Sequence, residues 1–190
     1  MSHIVEFYSS RRADSEGRQI EKIWGFSPSE LEDVHDYIQW LFPLPEASAF
    51  NWDAPILTAD DIRIFRADDE LKKNLSKSFD VMLAFYGFRN QDQDIVRGNN
   101  YPQAAENWIT PGDHNFLRLT RILRSMSLLG LETEAAQFLR ALEVVYKEQP
   151  RIVGNSIGYW RAAVNVNGDL EKMGIRPVSG SKLDPKNLKS

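Results

Sequence analysis

The sequence contains no cysteine among its 190 residues, which excludes disulfide bonds, thiolate zinc sites and cysteine nucleophiles. It also lacks any apolar run of about 20 residues, the length that a membrane-spanning helix requires. The amino-terminal residues 1–6 show no basic segment followed by an apolar stretch, so no signal peptide is expected. Together these absences predict a cytoplasmic protein without a membrane span.

Positive and negative charges are unevenly divided between the two halves of the chain. Residues 1–95 carry 10 Lys and Arg against 18 Asp and Glu, whereas residues 96–190 carry 13 against 9. The second half then presents a basic surface to an acidic partner, or the two halves pack together and their charges partly cancel. Hydrophobic residues make up 42% of the chain, which is ample for one folded domain that buries roughly 70% of its unfolded surface.

Helix-start signals are frequent and have a clear physical basis. Residues 27–30, Ser-Pro-Ser-Glu, form a capping box with proline at the first helical position and predict a helix over 28–42. Residues 58–61 open a second helix, and acidic residues 68–70 begin a long third helix that ends at Gly87. Residues 110–113 repeat the pattern of residues 27–30, so a fourth helix is expected from there to Gly130.

Two further helices follow, from Thr133 through Tyr146 and from Ser156 to Val166, whereas strand signals are weak. Only residues 4–8 and 56–57 have the composition of extended chain, and the polar residues 89–100 indicate a mobile loop. The sequence therefore predicts a single all-α domain over residues 1–173. It should have five or six main helices, an irregular amino-terminal segment, and a disordered tail over residues 174–190.

Two segments are unusually dense in large side chains. They are residues 35–44, His-Asp-Tyr-Ile-Gln-Trp-Leu-Phe-Pro-Leu, and residues 114–123, His-Asn-Phe-Leu-Arg-Leu-Thr-Arg-Ile-Leu. Both resemble the signature blocks of the opioid growth factor receptor conserved-region family, and weaker similarity extends from Val5 to Tyr159. The compact form is similar to the stand-alone members of microbes and fungi. The resemblance implies a helical domain that is associated, in the animal receptor, with enkephalin-peptide binding and growth control.

Two histidines are the candidates for catalysis or metal binding. Glu32 and His35 have the Glu-x-x-His spacing of di-iron bundles, but the sequence contains no second motif of this kind. A mononuclear site from His35, His114 and either Asp36 or Asp113 is one hypothesis, and hydrogen bonding of each imidazole to a helix end or a carbonyl is the other. No nucleophile elbow, phosphate loop or dinucleotide fingerprint is present, and no cofactor is predicted.

Arg118, Arg121 and Arg124 recur every three residues and form a basic stripe on one helix. This stripe grips phosphates or an acidic peptide, or it pairs with acids on neighbouring helices, such as those in residues 60–70. Because the chain is acidic overall and the stripe carries no interleaved aromatic residues, no nucleic-acid binding is expected.

Tryptophans near a turn suggest a binding groove. Trp52 lies in the loop of residues 50–53, which lines a ligand groove or folds back over a helix face. The groove is expected between this loop, the end of the helix over residues 37–42, and the helix that begins near His114. Its predicted ligand-binding residues are His35, Tyr37, Gln39, Trp40, Trp52, His114, Arg118 and Arg121.

The preferred function is a non-enzymatic binding module whose ligand is a peptide or protein segment. The alternative is a metal-dependent or other enzyme centred on His35 and His114. The sequence makes no prediction of the oligomeric state.

Overall fold

The computed structural model describes residues 2–48 and 51–177, and within them the chain is 60% helix and 6% strand. The predicted helical class is thus confirmed, but the described residues form twelve helices and one hairpin rather than five or six helices. Six of the helices have eight or more residues. The elements are α1 His3–Tyr8, α2 Ile20–Trp24, α3 Pro28–Asp33, α4 Ile38–Leu41, α5 Ala59–Ala67, α6 Asp69–Phe85, β1 Phe88–Gln91, β2 Asp94–Arg97, α7 Tyr101–Trp108, α8 Asn115–Leu129, α9 Glu132–Glu148, α10 Pro150–Val153, α11 Ser156–Ala163 and α12 Asn167–Lys172.

Two helices start where their capping boxes predict. The Ser27 hydroxyl accepts from the backbone N–H of Glu30, whose carboxylate accepts from the N–H of Ser27 at 2.8 Å. Thr58 and Asp61 repeat the exchange at the start of α5. Helix α8 ends as predicted at Gly130, which has a φ of +100°, a conformation that favours glycine.

The predicted single helix over residues 28–42 is wrong, because the chain leaves the helical conformation at Val34. Helix α3 ends at Asp33, Val34 is extended with φ −86° and ψ 127°, and α4 begins only at Ile38. The carbonyl groups of Leu31, Glu32 and Val34 accept from the distant Arg118 guanidinium, at 2.9, 3.2 and 3.1 Å. A cation from another helix thus occupies carbonyls that a continuous helix would use internally.

The amino-terminal segment is helical over residues 3–8, so the possible strand predicted at residues 4–8 is wrong, whereas residues 9–19 are irregular as expected. The Ser2 hydroxyl caps α1 by accepting from the Val5 N–H at 3.3 Å. The buried residues of this helix follow the 3.6-residue helical period. Over so short a segment, this period is hard to distinguish from the alternation of a strand. They are Ile4, Val5, Phe7 and Tyr8. The other extended candidate, Ile56, forms one isolated parallel bridge with Leu44.

The polar region predicted as a mobile loop contains the β1–β2 hairpin. Phe88 and Ile95 are its buried residues, and the Phe88 ring lies 5.8 Å from that of Phe138 on α9. The buried Phe88 and Ile95 side chains thus order a segment whose polarity indicated a mobile loop.

The predicted helix start at Thr110 is also wrong. Its hydroxyl donates to the Asp113 carboxylate at 2.7 Å in a turn, and α8 begins at Asn115.

Helix α8 lies at the centre of the core, and 11 of its 15 residues are buried. It packs against α5, α6, α9 and α11. Two fully buried tryptophans surround it, and each is satisfied by a backbone carbonyl. The Trp160 indole N–H donates to the Phe116 carbonyl at 3.1 Å, and that of Trp108 donates to the Tyr86 carbonyl at 3.2 Å.

The predictions of a disordered tail and of no membrane span can be compared with the described residues. Residues 178–190 of the predicted tail lie outside the described residues, whereas Ile175, within the range assigned to that tail, is buried. Across residues 2–48 and 51–177, no helix combines the length and the apolar character that crossing a membrane requires.

Candidate functional site

Arg118 is buried, and its guanidinium is occupied by groups of the chain itself. The side chain is 6% exposed. It donates to the three carbonyls at the end of α3 and to Asn115 Oδ1 at 3.3 Å, and it lies 3.7 Å from the Glu32 carboxylate. In this geometry Arg118 fastens the end of α3 to α8.

The other two arginines of the stripe fasten the segment that follows α4. Arg121 donates to the Phe42 carbonyl at 3.1 Å, and burial lowers the pKa of its guanidinium. Arg124 pairs with Glu46 at 2.6 Å and with Asp169 at 3.0 Å. The acids that the stripe meets are therefore Glu32, Glu46 and Asp169, and not those of residues 60–70.

Tyr37 and Gln39 are buried at the start of α4, where Tyr37 precedes the helix and Gln39 is its second residue. The Tyr37 hydroxyl donates to the Leu31 carbonyl at 2.8 Å, and burial raises the pKa of this phenol. The Gln39 amide nitrogen, in the orientation that satisfies its neighbours, donates to the carbonyls of His35 and Asp36 at 3.2 and 2.9 Å. Both side chains thus stabilise the non-helical turn.

His35 and His114 come together at the surface, with ring centroids 5.3 Å apart and planes inclined by 39°. His35 Nδ1 lies 2.7 Å from the Asp33 carbonyl oxygen, and His114 Nε2 lies 3.4 Å from the Glu32 carboxylate. The Asp36 carboxylate is engaged by Arg18 at 2.9 Å. Within the described residues, no group of three or more His, Asp and Glu side chains is arranged to hold a metal ion.

A pocket of about 260 Å³ opens beside Trp40, between α1, the start of α5 and the loop that follows residue 51. It is lined by Ser2, His3, Ile4, Ser15, Trp40, Asp53, Pro55, Ile56, Thr58 and Asp61. The imidazole of His3 stands edge-on to the Trp40 indole at 4.6 Å, and its Nε2 lies 2.7 Å from the Ala13 carbonyl oxygen.

Trp40 is only 2% exposed, yet its indole N–H has no hydrogen-bond partner in the described part of the chain. The two other buried tryptophans, Trp108 and Trp160, each donate to a backbone carbonyl. A buried donor without an acceptor costs about 1–3 kcal/mol, and because this nitrogen is inaccessible to solvent, the cost falls on the packing behind the pocket wall.

Trp52 and Ile56 are exposed beside this pocket, at 94% and 54% of their full accessible surface. Trp52 precedes the pocket residue Asp53, and Ile56 lines the pocket itself. Phe50, which the sequence placed in the same loop, lies outside the described residues. Trp40 thus lines this pocket and Trp52 adjoins its lining residue Asp53, whereas His35 and His114 are not among its lining residues.

Two carboxylates line the pocket without a cationic partner. Asp61 is 2% exposed, and its Oδ2 accepts from the backbone and hydroxyl of Thr58 at 2.9 and 2.6 Å. No Lys or Arg forms an ion pair with Asp53 or Asp61 in the part of the chain that the structure describes. Neither aspartate was predicted from the sequence as a site residue. Asp61 was already explained as part of a helix cap. The helix that carries His3 was not predicted, and so the pocket that it lines with these aspartates was not expected.

A second depression of about 360 Å³ lies beside α3. It is lined by Pro28, Ser29, Glu32, Asp33, Phe85 and Asn107. Because Glu32 also contacts His114 and Arg118, this depression belongs to the network that fastens α3 to α8.

Comparison with known proteins gives one consistent family. The model of the opioid growth factor receptor conserved region matches residues 4–176. The human opioid growth factor receptor is 37% identical over 147 residues, which cover 74% of this chain and 21% of that protein. The rat receptor is 35% identical over 78% of this chain and 27% of its own length. The mouse opioid growth factor receptor-like protein 1 is 31% identical over 83% and 35%.

The chain therefore spans about a fifth to a third of the length of these relatives. No solved structure matches it.

Proposed function

Because the chain belongs to the opioid growth factor receptor conserved-region family, we propose that it is a non-enzymatic binding module whose ligand is a peptide or protein segment. The rat and human relatives are named as receptors for a growth factor, and the proposal transfers only the capacity to bind. As part of the proposal, the module acts in the cytoplasm.

The observation that carries the proposal is the exposure of Trp52 and Ile56 beside the pocket of Trp40. Single exposed apolar side chains are ordinary, but an exposed tryptophan next to a concave site is typical of binding hot spots. The ligand would cover the Trp52 indole and enter the pocket.

The eight residues predicted from the sequence then divide into two roles. Trp40 and Trp52 contact the ligand in this proposal. Tyr37, Gln39, Arg118 and Arg121 hold residues 31–42 in the conformation that presents Trp40. His35 and His114 lie at the end of α3, within the same supporting network.

Selection from a displayed random-peptide library tests the proposal. We expect the wild-type protein to enrich a peptide family that Trp52→Ala no longer captures. Tyr159→Ala is the matched control, because Tyr159 is also an exposed aromatic, at 67%, but lies on α11, whereas Trp52 adjoins the pocket residue Asp53. An opioid peptide of the enkephalin class serves as a defined probe beside the library.

Two results would count against the proposal. One is the absence of any enriched peptide family from the wild-type protein. The other is equal loss of capture in Trp52→Ala and Tyr159→Ala, which would indicate nonspecific adhesion to exposed aromatic side chains.

A further inference from the structure

We infer that the pocket beside Trp40 binds an extended peptide segment that carries a basic side chain, which enters the pocket while the peptide backbone pairs with Ile56. This inference rests on the proposed function and specifies the chemistry of its ligand. Two independent features of the pocket wall support it: an open strand edge and two carboxylates without a cation.

The open strand edge is at Ile56. In the parallel bridge with Leu44, the Leu57 N–H donates to the Leu44 carbonyl at 3.0 Å. On an extended chain, successive backbone groups point to opposite sides, so the N–H and C=O of Ile56 point away from Leu44. No hydrogen bond to either group occurs within residues 2–48 and 51–177. An extended peptide can add to this edge as a further strand.

The acidic character of the pocket selects the side chain of that peptide. Asp53 and Asp61 are the acidic side chains among the described lining residues, which include neither Lys nor Arg. The two hydrogen bonds that Asp61 accepts both fall on Oδ2, which leaves Oδ1 for another donor. A buried carboxylate is stabilised by a cation that donates hydrogen bonds to it, as Lys and Arg do.

These two features describe one kind of ligand. The N–H and C=O of Ile56 pair with an extended backbone, and the two carboxylates accept from one cationic side chain. The net charge of −8 over residues 1–95 favours the approach of such a segment.

A defined peptide tests the inference. The probe is acetyl-Thr-Val-Arg-Val-Thr-amide, and its matched control replaces arginine by citrulline, which keeps the shape and removes the charge. Binding to the full chain is followed through the indole ¹H–¹⁵N signal of Trp40, assigned with Trp40→Phe. We expect this signal to shift on addition of the arginine peptide, and the citrulline peptide to bind roughly tenfold more weakly.

Protein variants separate the contacts. Asp53→Asn should abolish most of the preference for arginine over citrulline, and it is preferable to a change at Asp61, which also caps α5. Ile56→Pro removes the unbonded N–H and should weaken both peptides by a similar factor. Ile56→Val keeps the N–H and should bind as the wild-type protein does.

The outcomes also separate this inference from the proposed function. Equal affinity for the arginine and citrulline peptides, an unmoved Trp40 signal at saturation, or an unaffected Ile56→Pro variant would each overturn the inference. No binding of the arginine peptide at millimolar concentration would do the same. If library peptides still depend on Trp52 in that case, the binding module stands and only its ligand chemistry is wrong.

Discussion

Replacement of Arg118 by methionine distinguishes a residue that holds the fold from one that holds the ligand. Methionine preserves most of the aliphatic volume but removes the hydrogen bonds to the carbonyls of Leu31, Glu32 and Val34. The Leu31 carbonyl keeps the Tyr37 hydroxyl as a donor, whereas the other two carbonyls lose their guanidinium donor. We therefore expect a large loss of stability from a single substitution.

The magnitude follows from the number of bonds. A hydrogen bond to a charged group contributes about 1.5–3 kcal/mol, so two lost bonds and one compensated bond give about 3–6 kcal/mol. Arg121→Met is the matched control, since Arg121 donates to one carbonyl, that of Phe42, and burial already disfavours its charge. For this variant about 1–2 kcal/mol is expected.

Urea denaturation followed by tryptophan fluorescence measures both variants, with peptide capture measured in parallel on the folded fraction. We expect Arg118→Met to lower the free energy of unfolding by at least about 1 kcal/mol more than Arg121→Met. The reasoning would be refuted if the two variants were equally stable, or if Arg118→Met kept wild-type stability and lost the ligand. The second result would assign Arg118 to the binding surface.

Three further predictions concern local conformation. Gly87→Ala should destabilise the protein by about 2–5 kcal/mol, because φ is +83° and a Cβ would lie 2.7 Å from the backbone of α7. Gly112→Ala should cost only about 1–2 kcal/mol, because Gly112 has a φ of +75° but open space around it. Equal urea midpoints for the two variants would contradict this prediction. Asp92→Gly should stabilise the hairpin by roughly 0.5 kcal/mol, because Asp92 has a φ of +56°; an unchanged or lower unfolding midpoint would count against it. Hydrogen bonds from Ser27 lower the pKa of Glu30, so this contribution to stability is present above the ordinary pKa of 4.5 and lost as pH falls through the lowered value. Ser27→Ala should raise that pKa, and an NMR titration of the Glu30 carboxyl carbon that shows no change would refute the assignment.

Local interactions explain which elements the sequence could predict. Capping boxes at Ser27 and Thr58 join residues three apart, so their signal is complete within a short window. Gly130 stops α8 for a reason that is equally local, its positive φ. By contrast, the break after α3 depends on Arg118, which lies more than 80 residues away along the chain. No periodicity within residues 28–42 could have revealed it.

The candidate site divides in the same way. Trp40 and Trp52 could be predicted as site residues from the sequence, because aromatic residues near a non-helical turn often line a binding surface. Asp61 could not, since its capping role accounts for it completely at the level of sequence. His3 was missed because alternation and helical periodicity are hard to distinguish over the six residues of α1.

Hydrogen bonds join the two dense segments of the sequence to each other in the structure. Helix α8 holds the first segment at both ends, through Arg118 at the carbonyls before Tyr37 and through Arg121 and Ser125 at the carbonyls of Phe42 and Pro43. Trp40 lies between these attachments, so its position at the pocket depends on α8 although α8 does not line the pocket. The signature segments therefore account for the presentation of Trp40. The carboxylates that would select the ligand, Asp53 and Asp61, lie outside both segments, and so the recognition chemistry has to be read from the pocket.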